Sequence, residues 1–149
     1  MGSPRVDTPE RTQPLELLLG YGPACVIALL AGMAWAGIPY AAEATRIWGA
    51  AILIFLAGVT RGLSFFTEGG ARWGQLAAMA LRFWCGIAAL VLPAVIGVAL
   101  LILGYASIAA YDPVAARGGT APRFFAHLRP WQMAIAVAGL VALEVLLLR

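Results

Sequence analysis

Two arginines inside apolar runs are the residues of this sequence whose type and position suggest chemistry. Arg61 stands within residues 55–66, FLAGVTRGLSFF, and Arg82 stands nine residues after Trp73 in a second apolar run. A guanidinium inside a membrane costs several kcal/mol unless it is paired or reaches the surface. Each arginine therefore calls for a counter-charge, an anionic ligand or a position near an interface.

Arg82 lies close to the middle of its run, so it needs a buried partner. Helical spacing places it on a stripe of small or polar residues, which predicts a face packed against protein; the stripe comprises Gln75, Ala78, Cys85, Gly86 and Ala89. Glu144 is the acid that lies inside a predicted span and is the candidate partner, although the two depths differ by roughly 8 Å. Backbone carbonyls, Ser107, Tyr105 or a partner subunit are the alternatives, and a later helix start would make Arg82 interfacial.

Arg61 lies on the same predicted side of its helix as Gly58 and Gly62, together with Ala50 and Ala57. These two glycines form a GxxxG pattern, which lets a second helix approach closely. Arg61 is about five residues from the inner helix end, roughly 8 Å at the α-helical rise. It can therefore snorkel to the headgroups, or it can form a charge pair within the bundle or with a partner.

The elements that must position these residues are membrane-spanning helices. The chain has 149 residues, of which 62% are hydrophobic and 11% charged, so lipid must cover part of its surface. We predict an all-α integral membrane protein, a bundle of about five transmembrane helices. A flexible polar tail over 1–14 precedes a transmembrane domain over 15–149, with spans at about 15–37, 47–66, 74–92, 94–111 and 131–148.

The apolar stretch 73–111 is about twice as long as one crossing requires. We divide it at Pro93; a single helix followed by an interfacial segment is the alternative. Asp112 and Pro113 are expected to end the fourth helix, since the residue before a proline disfavours helix.

A short amphipathic segment is predicted just before the last span, in PRFFAHLR over 122–129. Its apolar side chains are expected to dip into the membrane while its basic ones stay wet; they are Phe124, Phe125 and Leu128 against Arg123, His127 and Arg129. Trp48, Trp73 and Trp131 are predicted to lie at the interfaces, as amphipathic rings prefer.

Arginines also predict the orientation. With five spans, the N-terminal side carries six of them and the opposite side two, Arg46 and Arg149. Positive loops stay inside, so the N-terminus is expected in the cytoplasm and the C-terminus in the periplasm; the six are Arg5, Arg11, Arg72, Arg117, Arg123 and Arg129.

Several stretches resemble one known family. The first-helix entry PLELLLGYGP, the second-helix stretch WGAAILIFLAGVTRGLSF, LILGYASIAAYD and PRFFAHLRPWQMAIAV are similar to the domain of unknown function 3429 (DUF3429), which includes mitochondrial transmembrane protein 69. The resemblance implies a multi-helix inner-membrane protein and supplies no reaction. The chain departs from the pattern at Ala57, where the family has glycine, and at Arg61, where it has tryptophan.

No catalytic, cofactor or metal pattern stands out in the residues, and the scattered arginines do not indicate nucleic-acid binding. The leading hypothesis is a non-catalytic accessory subunit or assembly factor of a larger complex in a bacterial inner membrane, whose partners are lipids and other membrane proteins. The alternative is a small transporter or lipid-binding protein that uses Arg61 and Arg82. The third hypothesis is that the protein is an enzyme.

Overall fold

The computed structural model describes residues 12–149, and these residues form five helices without a strand. Each helix is long and apolar enough to cross a membrane, so the predicted all-α architecture is confirmed. The helices are α1 (Pro14–Trp35), α2 (Ala41–Ser64), α3 (Trp73–Val91), α4 (Ala94–Arg117) and α5 (Phe125–Leu147). The predicted polar tail lies outside the described residues up to position 11, and its last residue, Pro14, is already helical.

The five helices pack in a ring that follows their order along the chain. Each helix packs against the next, and α1 closes the ring against α5, while α4 also contacts α2 across the centre. Short connections join consecutive helices, which therefore run in opposite directions. Both ends of the bundle thus collect residues from several helices.

Large aliphatic side chains fill the centre of the ring. Ile27, Leu53, Leu101 and Leu140 come from α1, α2, α4 and α5, and all four are fully buried. Helix α3 contributes the smaller Cys85 and Ala89 to the same cluster. Lipid is as apolar as leucine, so close van der Waals packing, rather than removal from water, holds such a core together in a membrane.

Glycines permit the closest helix contacts. A Cβ atom on Gly86 of α3 would lie 2.5 Å from Cγ1 of Ile54 on α2, and one on Gly97 of α4 would lie 2.8 Å from the carbonyl oxygen of Ala89 on α3. The α3–α4 approach follows directly from the tight turn at Leu92 and Pro93. The division of the apolar stretch 73–111 at Pro93 is therefore confirmed.

Helix α2 begins six residues before the predicted span, at Ala41, so the expected connector over 38–46 is largely helical. Its first turns carry an ion pair between a largely covered Arg46 and a more exposed Glu43, with Nη2 of Arg46 2.5 Å from Oε1 of Glu43. Arg46 also donates from Nη1 to the carbonyl oxygens of Ala89 and Leu92. It thereby satisfies carbonyls at the C-terminal end of α3 that have no intrahelical donor.

Two further helix bounds differ from the sequence-based expectation. Helix α4 does not end at Tyr111 but continues through Pro113 to Arg117. Helix α5 begins at Phe125 rather than at position 131, so the predicted amphipathic segment is continuous with the last helix. In both cases buried contacts outweigh a local signal that disfavours helix, and both extensions bring charged residues into the bundle.

Candidate functional site

A buried ion pair between Arg82 and Asp112 is the centre of the candidate site. Nη2 of Arg82, near the middle of α3, lies 2.7 Å from Oδ1 of Asp112, near the C-terminal end of α4. The Arg82 side chain is fully buried and the Asp112 side chain is 10% exposed. The predicted partner Glu144 is therefore wrong: the extension of α4 supplies a nearer carboxylate.

Two hydroxyl groups complete the surroundings of Arg82. Nη1 donates to Oγ1 of Thr60 on α2 at 2.6 Å, and Nε donates to Oγ of Ser107 on α4 at 3.3 Å. Both hydroxyls donate in turn to backbone carbonyls of their own helices. Nη2 also approaches the Ser107 carbonyl oxygen at 3.4 Å. All three guanidinium nitrogens of Arg82 thus have partners inside the chain, and Ser107 was among the predicted alternatives.

Tyr105 was another predicted alternative as the partner of Arg82, but it makes a different contact. Its hydroxyl donates to the carbonyl oxygen of Gly49 on α2 at 2.8 Å. The residue is almost fully buried. This hydrogen bond fixes α4 against α2 apart from the Arg82 cluster.

Arg129 is a second buried arginine in the cluster. Its Nε lies 3.4 Å from Oδ2 of Asp112, and its guanidinium carbon lies 4.2 Å from the centre of the Phe125 ring. Nη1 donates to Oε1 of Gln132 at 3.3 Å. Arg129 was expected to stay wet at the interface; that expectation is wrong, because it is only 8% exposed and faces a carboxylate.

The described cluster carries an uneven charge. Two guanidinium groups share one carboxylate, which leaves one formal positive charge in the interior. Two nitrogen atoms on the α5 side, Nε of Arg129 and Nε2 of Gln132, are buried and lack a well-aligned hydrogen bond. A buried donor without a partner costs about 1–3 kcal/mol, so the α5 side of the cluster is less well satisfied than the α3 side.

Sequence reasoning missed Asp112 because the Asp-Pro dipeptide is a helix-stop signal. A periodic signal could have found it, since the buried residues of α4 recur every three or four positions up to this carboxylate; they are Gly97, Val98, Leu101, Gly104, Tyr105, Ile108 and Asp112. If that stripe is extended past Tyr111 by one residue, Asp112 falls on the same helix face as Tyr105 and Ile108. The helical period was the better guide here than the proline.

A small cavity lies beside the carboxylate. Its volume is about 10 Å³, and its polar lining comes from Thr60, Gln75, Tyr111, Asp112 and Thr120. The amide of Gln75 is anchored there, with Nε2 2.8 Å from Oγ1 of Thr67 and Oε1 accepting from the Arg72 backbone at 3.0 Å. The cavity thus separates the ion pair from the α2–α3 turn and the α4–α5 loop.

The other predicted packing residues are distributed over the bundle. Arg61 is half-buried, donates from Nη1 to Oγ of Ser64 at 2.6 Å and stacks 4.1 Å from the centre of the Phe65 ring. A Cβ on Gly58 or Gly62 would meet nothing within 4 Å, so none of the five described helices packs on this pair. Glu144 is half-buried, and its Oε2 has no hydrogen bond.

The residues predicted to be interfacial divide into exposed and buried groups. Trp73 and Trp131 are 87% and 69% exposed, and Arg123 is also exposed. Trp48 is partly covered, and its indole N–H donates to the Pro23 carbonyl oxygen at 3.1 Å. Phe124 is buried with Phe125 and Leu128 in a second apolar cluster, so its side chain packs against protein rather than lipid.

The fold and the cluster together define a multi-pass helical membrane protein whose deepest charge is paired inside its own bundle. No protein-family model matches the chain, and no curated protein or solved structure matches it. The relation to the DUF3429 family therefore stays a prediction. No group of three or more metal-binding side chains occurs among residues 12–149.

Proposed function

We propose that this protein is a non-catalytic accessory subunit or assembly factor of a larger complex in a bacterial cytoplasmic membrane. The observation that carries the proposal is the outward-facing glycine pair on α2, Gly58 and Gly62. A Cβ at either position would meet nothing within 4 Å. The partner would be a transmembrane helix of another protein that packs on this face.

The contrast with other glycines supports this interpretation. Gly86, Gly97 and Gly104 each have a neighbouring helix at the position a Cβ would occupy. Glycine inside a helix is about 1 kcal/mol less favourable than alanine, and small residues in membrane helices allow close helix contacts. Gly58 and Gly62 carry this cost although no residue among 12–149 contacts the position of a Cβ there, which favours a contact with another protein.

Arg82 does not support a partner protein. A midplane arginine without an internal counter-charge would have required one, but Asp112 supplies that charge within the bundle. The proposal therefore rests on the α2 face alone. The same pairing weakens the transporter alternative, because the cavity beside the pair measures only about 10 Å³.

Lipid binding is a second candidate, favoured by a separate groove. An open apolar groove of about 360 Å³ lies between α3 and α4 and is lined by Ala80, Leu81, Trp84, Cys85, Ala88 and Leu100. An acyl chain of a membrane lipid matches its apolar lining. Lipid retained through purification, and lost on Ala80→Phe, would favour this candidate.

The proposed orientation is N-terminus cytoplasmic and C-terminus periplasmic. The end of the bundle that holds the α2–α3 turn and the α4–α5 loop carries Arg72, Arg117 and Arg123, whereas the opposite end carries Arg46 and Arg149. Positively charged loops remain in the cytoplasm. Labelling of single cysteines at Ala71 and Ile38, both exposed, with an impermeant thiol reagent, in a background lacking Cys25 and Cys85, tests this: only the Ile38 site should react from the periplasm.

Membership in the DUF3429 family is part of the same proposal. Its support is the likeness in the second helix and in the entry to the last helix, quoted above. The likeness implies an inner-membrane protein and leaves the partner to be identified by experiment.

Native electrophoresis of mildly solubilised membranes tests the proposed function. A tagged copy should migrate in a large band with defined companions, identified by mass spectrometry. Gly58→Leu with Gly62→Leu should release it from that band. Gly32→Leu is the matched control, because Gly32 on α1 is also exposed and a Cβ there meets nothing within 4 Å. Migration of the unaltered protein alone would refute the proposal.

A further inference from the structure

We propose that the cavity beside Asp112 is a binding site for one water molecule, which joins the buried ion pair to the α4–α5 loop. This inference is independent of the proposed function. It concerns the cavity lined by Thr60, Gln75, Tyr111, Asp112 and Thr120.

The size of the cavity selects the ligand. Its volume is about 10 Å³, and a single water needs roughly 10–15 Å³ by this measure. A phosphate group or an organic solute is far larger. The lining is mixed: five of the eight lining residues are polar, and Leu63, Ala115 and Ala121 complete it. The polar five can supply the roughly two to four hydrogen bonds that a buried water makes.

Asp112 has unused hydrogen-bonding capacity on this side. An ionised carboxylate offers about four acceptor sites. Among residues 12–149 its one short side-chain contact is the 2.7 Å bond from Arg82 to Oδ1, because Nε of Arg129 lies 3.4 Å from Oδ2 without hydrogen-bond alignment. A water that donates to the carboxylate would fill a free acceptor site.

The remaining lining groups have defined roles around such a water. Thr60 accepts from Arg82 and donates to the Leu56 carbonyl oxygen. Thr120 donates from Oγ1 to the Ala115 carbonyl oxygen at 3.1 Å, and its own carbonyl oxygen lies 3.4 Å from Nε2 of Gln75. The phenol of Tyr111 can both donate and accept. The water would therefore bridge α4 to the loop that contains Thr120.

The direct test is a structure of the full-length protein in lipid nanodiscs at a resolution that shows ordered water. We expect one solvent peak in the cavity, within hydrogen-bond distance of an Asp112 carboxylate oxygen and of a second lining group. An empty cavity in well-ordered density would overturn the proposal.

A pair of variants at Ala115, which lines the cavity on α4, tests it in solution. Ala115→Ser places a hydroxyl in the cavity that can replace the water's hydrogen bonds, whereas Ala115→Cys fills the same space with a poor hydrogen-bonding group. We expect the serine variant to unfold several degrees above the cysteine variant. The same two substitutions at exposed Ala110, also on α4, correct for helix propensity.

If the cavity holds no water, the unfolding temperatures of the two variants should fall in the opposite order. In that case the cysteine fills apolar space and the serine buries an unmatched hydroxyl, so the cysteine variant would unfold at the same or a higher temperature after correction. That result would overturn the proposal even without a high-resolution structure.

Discussion

Arg82 of α3 and Asp112 of α4 form a 2.7 Å ion pair that is almost completely shielded from the surroundings of the bundle. The pair connects the middle of one helix to the end of its neighbour, since the long arginine side chain runs along α4 from Ser107 to Asp112. Thr60 of α2 accepts a hydrogen bond from Arg82, and Arg129 of α5 lies beside Asp112. The ion pair thus joins polar contacts from four of the five helices.

Asp112→Asn should strongly destabilise the bundle. It leaves Arg82 without its counter-charge inside the protein, and removing one partner of a buried pair typically costs about 3–5 kcal/mol. The free energy of unfolding in mixed detergent micelles measures the effect. Glu144→Gln is the control, because Oε2 of Glu144 has no hydrogen bond to lose. Equal losses from both variants would contradict the assigned pairing.

A double-mutant cycle should show that the two residues act together. Arg82→Met combined with Asp112→Asn removes both charges of the pair, so it should cost less than the sum of the single substitutions by about 0.5–3 kcal/mol. The same unfolding measurement on all four proteins gives this coupling. Arg129→Met combined with Asp112→Asn should couple more weakly, since that contact is longer and poorly aligned. Strict additivity for Arg82 and Asp112 would argue against a direct interaction.

Gly97→Ala should loosen the turn between α3 and α4. Its Cβ would lie 2.8 Å from the carbonyl oxygen of Ala89, and backbone cannot move aside as a side chain can. We expect a loss of about 1–3 kcal/mol, as for overpacking of a tight core. Gly58→Ala, with nothing within 4 Å, should be neutral or slightly stabilising, because alanine favours helix. Thermal unfolding of both variants distinguishes the two sites, and equal behaviour would count against the close approach.

Gly20→Ala should disturb the contact between α1 and α5. The new Cβ would overlap Nε2 of Gln132, which is fully buried and accepts a hydrogen bond from Arg129 through its Oε1. A shift of Gln132 would therefore disturb Arg129 as well, and we expect a loss of about 1–3 kcal/mol. Gly22→Ala on the same helix has open space and is the control. Comparable unfolding temperatures for the two variants would show that Gln132 moves without cost.

The buried face of α3 was predictable because its signal is local. Arg82, Gln75, Cys85 and Gly86 recur at helical spacing, and all four are buried. The same reasoning applied to α2 gave a mixed outcome. Ala50 and Ala57 face the core, but Gly58 is exposed, since the covered stripe runs through Leu53 and Thr60 instead. Composition alone does not distinguish a glycine that contacts a neighbouring helix from one that faces outward.

The sequence by itself determined the number of helices, their apolar character, the break at Pro93 and the need to bury Arg82, because these depend on hydropathy, chain length and helical period. The tertiary structure alone decided which groups surround that arginine. Asp112 and Arg129 both lie next to sequence signals that disfavour helix, Pro113 and Pro130, and each becomes part of the cluster only because its helix continues past the proline. The stabilisation that offsets this local cost comes from contacts between helices, which no single segment of the sequence contains.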